Sequence, residues 1–221
     1  MKRCMIFLAA AAILATLGLS PAAASIQVQV VVTGDNIVDA FYKNGGLPEE
    51  VDLSGISGLE DWRTASTATV DLTHWGANTF YFRVHQDGVF SEDNPAGFLG
   101  DIKFVGGPII ASTSESWEWA EASDTDTAPP SSGWEALTEH YGSNAEESTI
   151  WYKANNGPVA SISNDAKWIW GGSNFDETDP PPVSEQWLKV TVNVVPEAAT
   201  VAIWSLLAVA GIGLLSHRRR K

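Results

Sequence analysis

Short runs that alternate apolar and polar residues at period two, set between turn residues, constrain this chain more tightly than any other feature of its sequence. Gln27 to Val32 reads QVQVVV, Ile37 to Lys43 IVDAFYK, Ala68 to Leu72 ATVDL and Thr79 to Val84 TFYFRV. A strand sends successive side chains to opposite faces, so runs of this kind bury one face and wet the other. Four further runs predict strands: Phe98 to Phe104, Ser148 to Ala154, Ala166 to Trp170 and Gln186 to Val194. Between the runs stand Asn44-Gly45-Gly46, Asp87-Gly88, Asn156-Gly157-Pro158 and Gly171-Gly172, which supply the backbone angles of turns. Nothing reads as a long amphipathic helix, and no repeat of fixed period argues for a solenoid or propeller. The expected fold is all-β, a β-sandwich or jelly roll.

The two ends of the chain obey other rules. Met1, Lys2 and Arg3 precede an apolar run to Leu19, then Pro21 and three alanines, the pattern of a secretory signal cut between Ala24 and Ser25. Near the other end, Ala198 to Ser216 is uncharged, and at about 1.5 Å per helical residue it reaches roughly across a bilayer's hydrocarbon core. Arg218, Arg219, Arg220 and Lys221 follow directly, and such charges stay on the cytoplasmic side. Residues 1–24 are therefore expected to be a signal peptide, 25–194 one exported domain, and 195–221 a membrane segment with a basic tail. A transmembrane helix is expected over 198–216. About 170 residues suffice for one well-buried domain.

Composition narrows the chemistry. The single cysteine, Cys4, lies in the leader, so the exported part has no disulfide and no thiol nucleophile. That part carries seven Lys and Arg against 26 Asp and Glu, a net charge of −19. Such a surface repels nucleic acid and anionic lipid, because phosphate recognition needs clustered cations. It also offers oxygen ligands. SEDN (Ser91 to Asn94), SDTDT (Ser123 to Thr127) and DETD (Asp176 to Asp179) fall in loop-like stretches, which makes Asp93, Asp124, Asp126, Asp176 and Asp179 candidate calcium ligands. None follows the EF-hand spacing, and unliganded surface acids are the plainer reading.

Nine of the ten tryptophans lie in the exported part. The pairs Trp117/Trp119 and Trp168/Trp170, at i and i+2, are expected to share a strand face and to build core. Trp134 follows the polar, proline-bearing stretch ASDTDTAPPSSG and is the best candidate for a ligand platform. The exported histidines, His74, His85 and His140, show no metal-ligand spacing, and no GxSxG elbow or phosphate loop is present. Acid neighbours such as Glu92/Asp93 and Asp124/Asp126 leave a glycosidase-like carboxylate pair open, though no enzyme is expected.

The closing stretch VPEAATVAIWSLLAVAGIGLLSHRRRK resembles the PEP-CTERM sorting signal of Gram-negative bacteria. Pro196 and Glu197 match its first positions, and Ala198 stands where a second proline is usual. The resemblance implies recognition and removal of the helix by an exosortase, in cells that make exopolysaccharide. The exported part resembles the galactose-binding-like jelly roll through DNIVDAFYKNG (Asp35 to Gly45), HWGANTFYFRV (His74 to Val84), NPAGFLGDI (Asn94 to Ile102) and AKWIW (Ala166 to Trp170). That superfamily spans sugar binding, protein binding and scaffolding, so the fold alone does not choose among them. Two roles follow as expectations: a non-enzymatic module docking exopolysaccharide or another glycan, or a purely structural acidic component of matrix or cell surface.

Overall fold

Two antiparallel sheets face each other across a common core. The computed structural model describes residues 26–35, 37–43, 48–51, 62–72, 76–86, 96–123, 126–138, 140–171 and 185–195. Strands β1 (Ile26–Asp35), β4 (Ser66–Leu72), β6 (Gly97–Phe104) and β7 (Ile109–Ser112) form a four-stranded sheet in the order β4-β1-β6-β7. A six-stranded sheet runs β3-β2-β5-β12-β8-β9, from β2 (Ile37–Lys43), β3 (Pro48–Val51), β5 (Gly76–His85), β8 (Glu118–Glu121), β9 (Glu135–Ala136) and β12 (Glu185–Val194). A third, two-stranded ladder joins β10 (Gly142–Ser143) to β11 (Lys167–Trp168).

Alternation decides which side chains meet between the sheets. Val28, Val30 and Val32 from β1 and Val70 and Leu72 from β4 pack against Phe80, Phe82 and Val84 from β5 and Leu188, Val190 and Val192 from β12. These are the even positions of β1 and β5, as period two requires. Trp117 joins them, 5.6 Å from Phe82 and 5.8 Å from Phe98 between ring centroids, and Trp119 lies half-buried against the same cluster. That pair therefore shares a face as expected.

The four-stranded sheet is buried on part of its second face as well, which the run of three valines in β1 reflects. Val31 and Leu99 point away from the sandwich interior into a smaller cluster with Trp151, Val159, Ile162 and Trp168. Trp151 and Trp168 stack at 4.5 Å with planes 9° apart, and Trp62 meets Trp168 edge-on at 6.2 Å.

Two sequence expectations are corrected here. Ser148 to Ala154 is no strand: helix α1 (Ile150–Asn155) occupies it. Thr149 caps that helix, accepting from the Tyr152 N–H at 3.2 Å and donating to the Glu146 carbonyl at 2.9 Å, and Asn156 ends it in the left-handed region. Six residues are too few for helical periodicity to show against an accidental alternation. Trp168 and Trp170 do not share a cluster. Regular strand stops at Trp168, Ile169 makes an isolated bridge to Phe98, and Trp170 enters the core between the sheets while Trp168 stays outside the four-stranded one.

Among the described residues, no helix is long and apolar enough to cross a membrane. The segments expected to be a signal peptide, 1–24, and a membrane span, 198–216, lie outside the described residues.

Candidate functional site

The outward face of the six-stranded sheet breaks the usual rule that a solvent-side face is polar. Register places Phe41, Tyr81, Lys189 and Glu118 in one cross-strand row, and Asp39, Arg83, Trp187 and Ala120 in the next. Three aromatic rings therefore stand on the side away from the core. Trp187 is 0% exposed although it points outward. Phe41 covers it on one side at 5.3 Å, and Ala122 and Trp134 belong to the same cluster.

A strap of chain made of residues 122–123 and 126–134 closes over this face, and short contacts hold it. The Ala122 N–H donates to the Glu185 carbonyl at 3.2 Å, and Arg83 Nη2 to the Ser123 carbonyl at 3.4 Å. The Arg83 guanidinium also pairs with the Glu185 carboxylate, which sits almost wholly out of solvent. A charge buried to that degree needs such a partner. At the far end of the strap the Trp134 indole N–H donates to the Pro130 carbonyl at 3.1 Å. The Lys189 ammonium lies 4.5 Å from the Trp134 ring centroid, a cation over an aromatic, and Tyr81 meets the same ring at 5.6 Å. Lys189 Nζ pairs in addition with Glu118 Oε2 at 2.8 Å. Burial pushes the Tyr81 phenol up from its ordinary value, and the nearby Glu118 charge adds to that.

Trp134 is thus half-buried, with its polar edge tied back to its own loop. Asp126 lies on the same strap. Its backbone N–H donates to the Ser123 carbonyl at 2.9 Å, and its carboxylate accepts from the Ser123 N–H at 2.9 Å. The Ser123 backbone N–H holds this carboxyl below the usual Asp range against an opposing push from burial, with smaller lowering from the Ser123 side chain, the adjacent Trp187 indole and Arg83. The remaining calcium candidates, Asp93, Asp124, Asp176 and Asp179, lie outside the described residues, as do His74, Ala24, Ser25, Pro196, Glu197, Arg218, Arg219, Arg220 and Lys221. Among the described residues, no three or more His, Cys, Asp and Glu side chains gather into a metal-holding group.

The described histidines sit apart from each other. His85 Nδ1 is 3.7 Å from Glu185 Oε2 on the outward face. His140 belongs to a second polar group below the two-stranded ladder. Its Nδ1 lies 3.0 Å from the Gly142 backbone nitrogen, and its Nε2 lies 3.0 Å from Glu115 Oε1 and 2.9 Å from Lys167 Nζ. Lys167 Nζ reaches the same Glu115 oxygen at 2.6 Å. The Lys167 hydrogen bond holds the Glu115 carboxyl below its ordinary range, with a backbone hydrogen bond and the His140 and Lys167 charges adding to it against a smaller push from burial.

Among the described residues two carboxylates are deeply buried, and each is already engaged. Asp101 accepts from Ser112 Oγ and from the Ser163 N–H, both at 2.6 Å, while Glu185 is paired with Arg83. A glycosidase needs one carboxyl free to protonate and another free to attack or activate water.

Phe41, Tyr81, Trp187, Lys189 and Arg83 were not singled out by sequence reasoning. Each occupies an odd, outward position of a run that period two predicts correctly. The missing information is register, which brings residues 41, 81 and 189 side by side only after pairing.

No protein-family model, no curated protein and no solved structure matches this chain.

Proposed function

We propose that the chain is an exported, non-enzymatic binding module of the cell surface or extracellular matrix, and that it holds a glycan on the outward face of its six-stranded sheet. The observation that carries this reading is the pair of half-buried rings on that face, Phe41 and Trp134, backed by the buried Tyr81 and Trp187, beside the exposed hydroxyls of Thr79 and Thr191, which lie 3.0 Å apart. Sugar rings present apolar C–H faces and hydroxyl edges, and aromatic rings beside short polar groups match both. A net charge of −19 over residues 25–194 repels polyuronates, so the class that fits is a glycan without acidic groups. The sandwich is assigned to the galactose-binding-like jelly roll on the resemblance of the four segments quoted above.

Delivery belongs to the same proposal. Residues 1–24 direct export, and residues 195–221 anchor the chain until an exosortase reads Pro196 and Glu197. The exopolysaccharide of the producing cell is then the nearest ligand.

Affinity electrophoresis through gels containing neutral bacterial exopolysaccharides tests the binding. Retardation of the native chain is expected, with Trp134→Ala losing about tenfold in affinity, or ~1.4 kcal/mol, and Thr67→Ala on the other sheet losing none. An unretarded native chain across the panel overturns the glycan reading and leaves the acidic structural component.

A further inference from the structure

Strand directions sort the molecule into two unlike ends. Pairings Ile26↔Leu72, Val28↔Phe104 and Val194↔Gly76 place at one end the start of β1, the finish of β4, the start of β5, the β6–β7 turn and the finish of β12. Val105 confirms the position, its N–H donating to the Gln27 carbonyl at 3.1 Å. At the other end, roughly 30 Å away along a ten-residue strand, lie Gln86, Ala96 and Glu185, which flank the acidic stretches 87–95 and 172–184.

The first end is where the apolar surface is. Val105 at 47%, Ile109 at 45% and Val195 at 70% are the large hydrophobic residues left exposed among those described, and all three are there. Single exposed hydrophobics are ordinary, but their gathering at one pole of so acidic a chain is not. Phe104 to Ser114 contains no charged residue. The turn is also stiff. The Phe104 N–H donates to the Pro108 carbonyl and the Gly107 N–H to the Phe104 carbonyl, each at 3.0 Å, so little freedom remains to be lost when the tip is seated.

We infer that the β6–β7 turn, Val105 to Ile109, seats in the surface of the lipid bilayer that the segment 198–216 enters. The inference rests on the carboxyl-terminal anchoring proposed above. Only three residue steps separate Val195 from Ala198, a reach of at most about 10 Å, so an inserted segment holds this end of the sandwich against the membrane. An uncharged, apolar tip at that height enters the headgroup boundary, where side chains such as Val and Ile gain from burial. Two attachments, the helix and the tip, then fix the tilt of the domain. The acidic end points outward, and the chain leading from Val195 to Pro196 and Glu197 stays close to the bilayer surface.

The test uses the full chain in a Cys4→Ser background, which has no other cysteine. Val105→Cys, Ile109→Cys and, at the exposed far end, Thr64→Cys each carry one polarity-sensitive fluorophore. The labelled chains are reconstituted with phosphatidylcholine vesicles, and flotation reports anchoring. The expected result is blue-shifted emission at 105 and 109, several-fold protection from aqueous iodide and quenching by headgroup-level nitroxide lipid, with none of these at 64. Chains that float while 105 and 109 are as open to iodide as 64 overturn the seating and leave the anchor intact. Chains that fail to float overturn the anchor, and the seating with it.

Discussion

Asn144 shows how one side chain fixes a long irregular segment. It is 1% exposed, and its Nδ2 donates to the carbonyls of Val159 at 3.0 Å, Ile162 at 3.2 Å and Ser163 at 3.3 Å, while its Oδ1 accepts from the Val159 N–H at 2.8 Å. Backbone polar groups in a buried loop need partners, and here a single amide supplies both signs. Removing it with Asn144→Ala leaves a buried N–H and several carbonyls short of partners, at about 1–3 kcal/mol for each group that water cannot reach. A total loss of about 3 kcal/mol is expected in urea unfolding followed by tryptophan fluorescence. Asn144→Asp is the sharper variant. A carboxylate keeps the acceptor but turns negative oxygens on three carbonyls, so at neutral pH it is expected to be no more stable than the alanine variant. That environment raises the folded-state pKa of the new carboxyl above its unfolded value. Its penalty is therefore largest above the folded value and shrinks as pH falls through it toward the unfolded one, where the protonated acid regains a donor. An Asp variant whose stability relative to the Ala variant stays flat from neutral pH to pH 4 contradicts this account of Asn144.

At the scale of elements, the second face of the four-stranded sheet depends on a glycine. Gly97 opens β6 beneath the stacked pair Trp151 and Trp168, and a Cβ placed there meets Trp151 Cζ2 at 2.6 Å and Trp168 Cε3 at 2.9 Å. Both rings are buried, so neither moves aside cheaply. Gly97→Ala is expected to destabilise by about 1–3 kcal/mol and to diminish the near-ultraviolet circular dichroism that coupled indoles produce. Full parental stability would mean that α1 and its loop rest loosely on the sheet. The same region marks the limit of what the sequence discloses. The runs that became β1, β2, β4, β5 and β12 are legible because alternation holds along much of each, whereas β6 buries six residues in succession and reads as a strand from its apolar run and flanking turn residues. Val31 is visible only as an odd valine in a run of three, since what covers it, Trp151 and Ile162, lies more than a hundred residues away in sequence. The short strands β8, β9 and β10 span one or two alternations, which no period can establish. The aromatic face needed register in addition to alternation: Trp187 and Phe41 are both expected on strands, yet only the shared partner β5 puts their rings 5.3 Å apart.

At the scale of the whole molecule, charge is the dominant imbalance, and its direction can be argued from magnitudes. Salt acts on two opposed populations of interactions. It weakens the attractive pairs, of which Lys167 with Glu115 and Lys189 with Glu118 are partly open to water and worth up to about 1 kcal/mol each. Arg83 with Glu185 is more enclosed and is screened less. Against these stand 26 acids facing seven cations between residues 25 and 194, so acids outnumber cations nearly fourfold. Repulsion of this kind destabilises a folded chain more than its expanded unfolded form. It acts over distances that the screening length of about 30 Å at 0.01 M leaves open and that of about 8 Å at 0.15 M largely closes. The melting temperature is therefore expected to rise with sodium chloride, most steeply below about 0.15 M, and then to level off. A melting temperature that falls with added salt would mean that the few ion pairs, and the strap that Arg83 and Lys189 hold against the aromatic face, contribute more to stability than the remaining charge takes away.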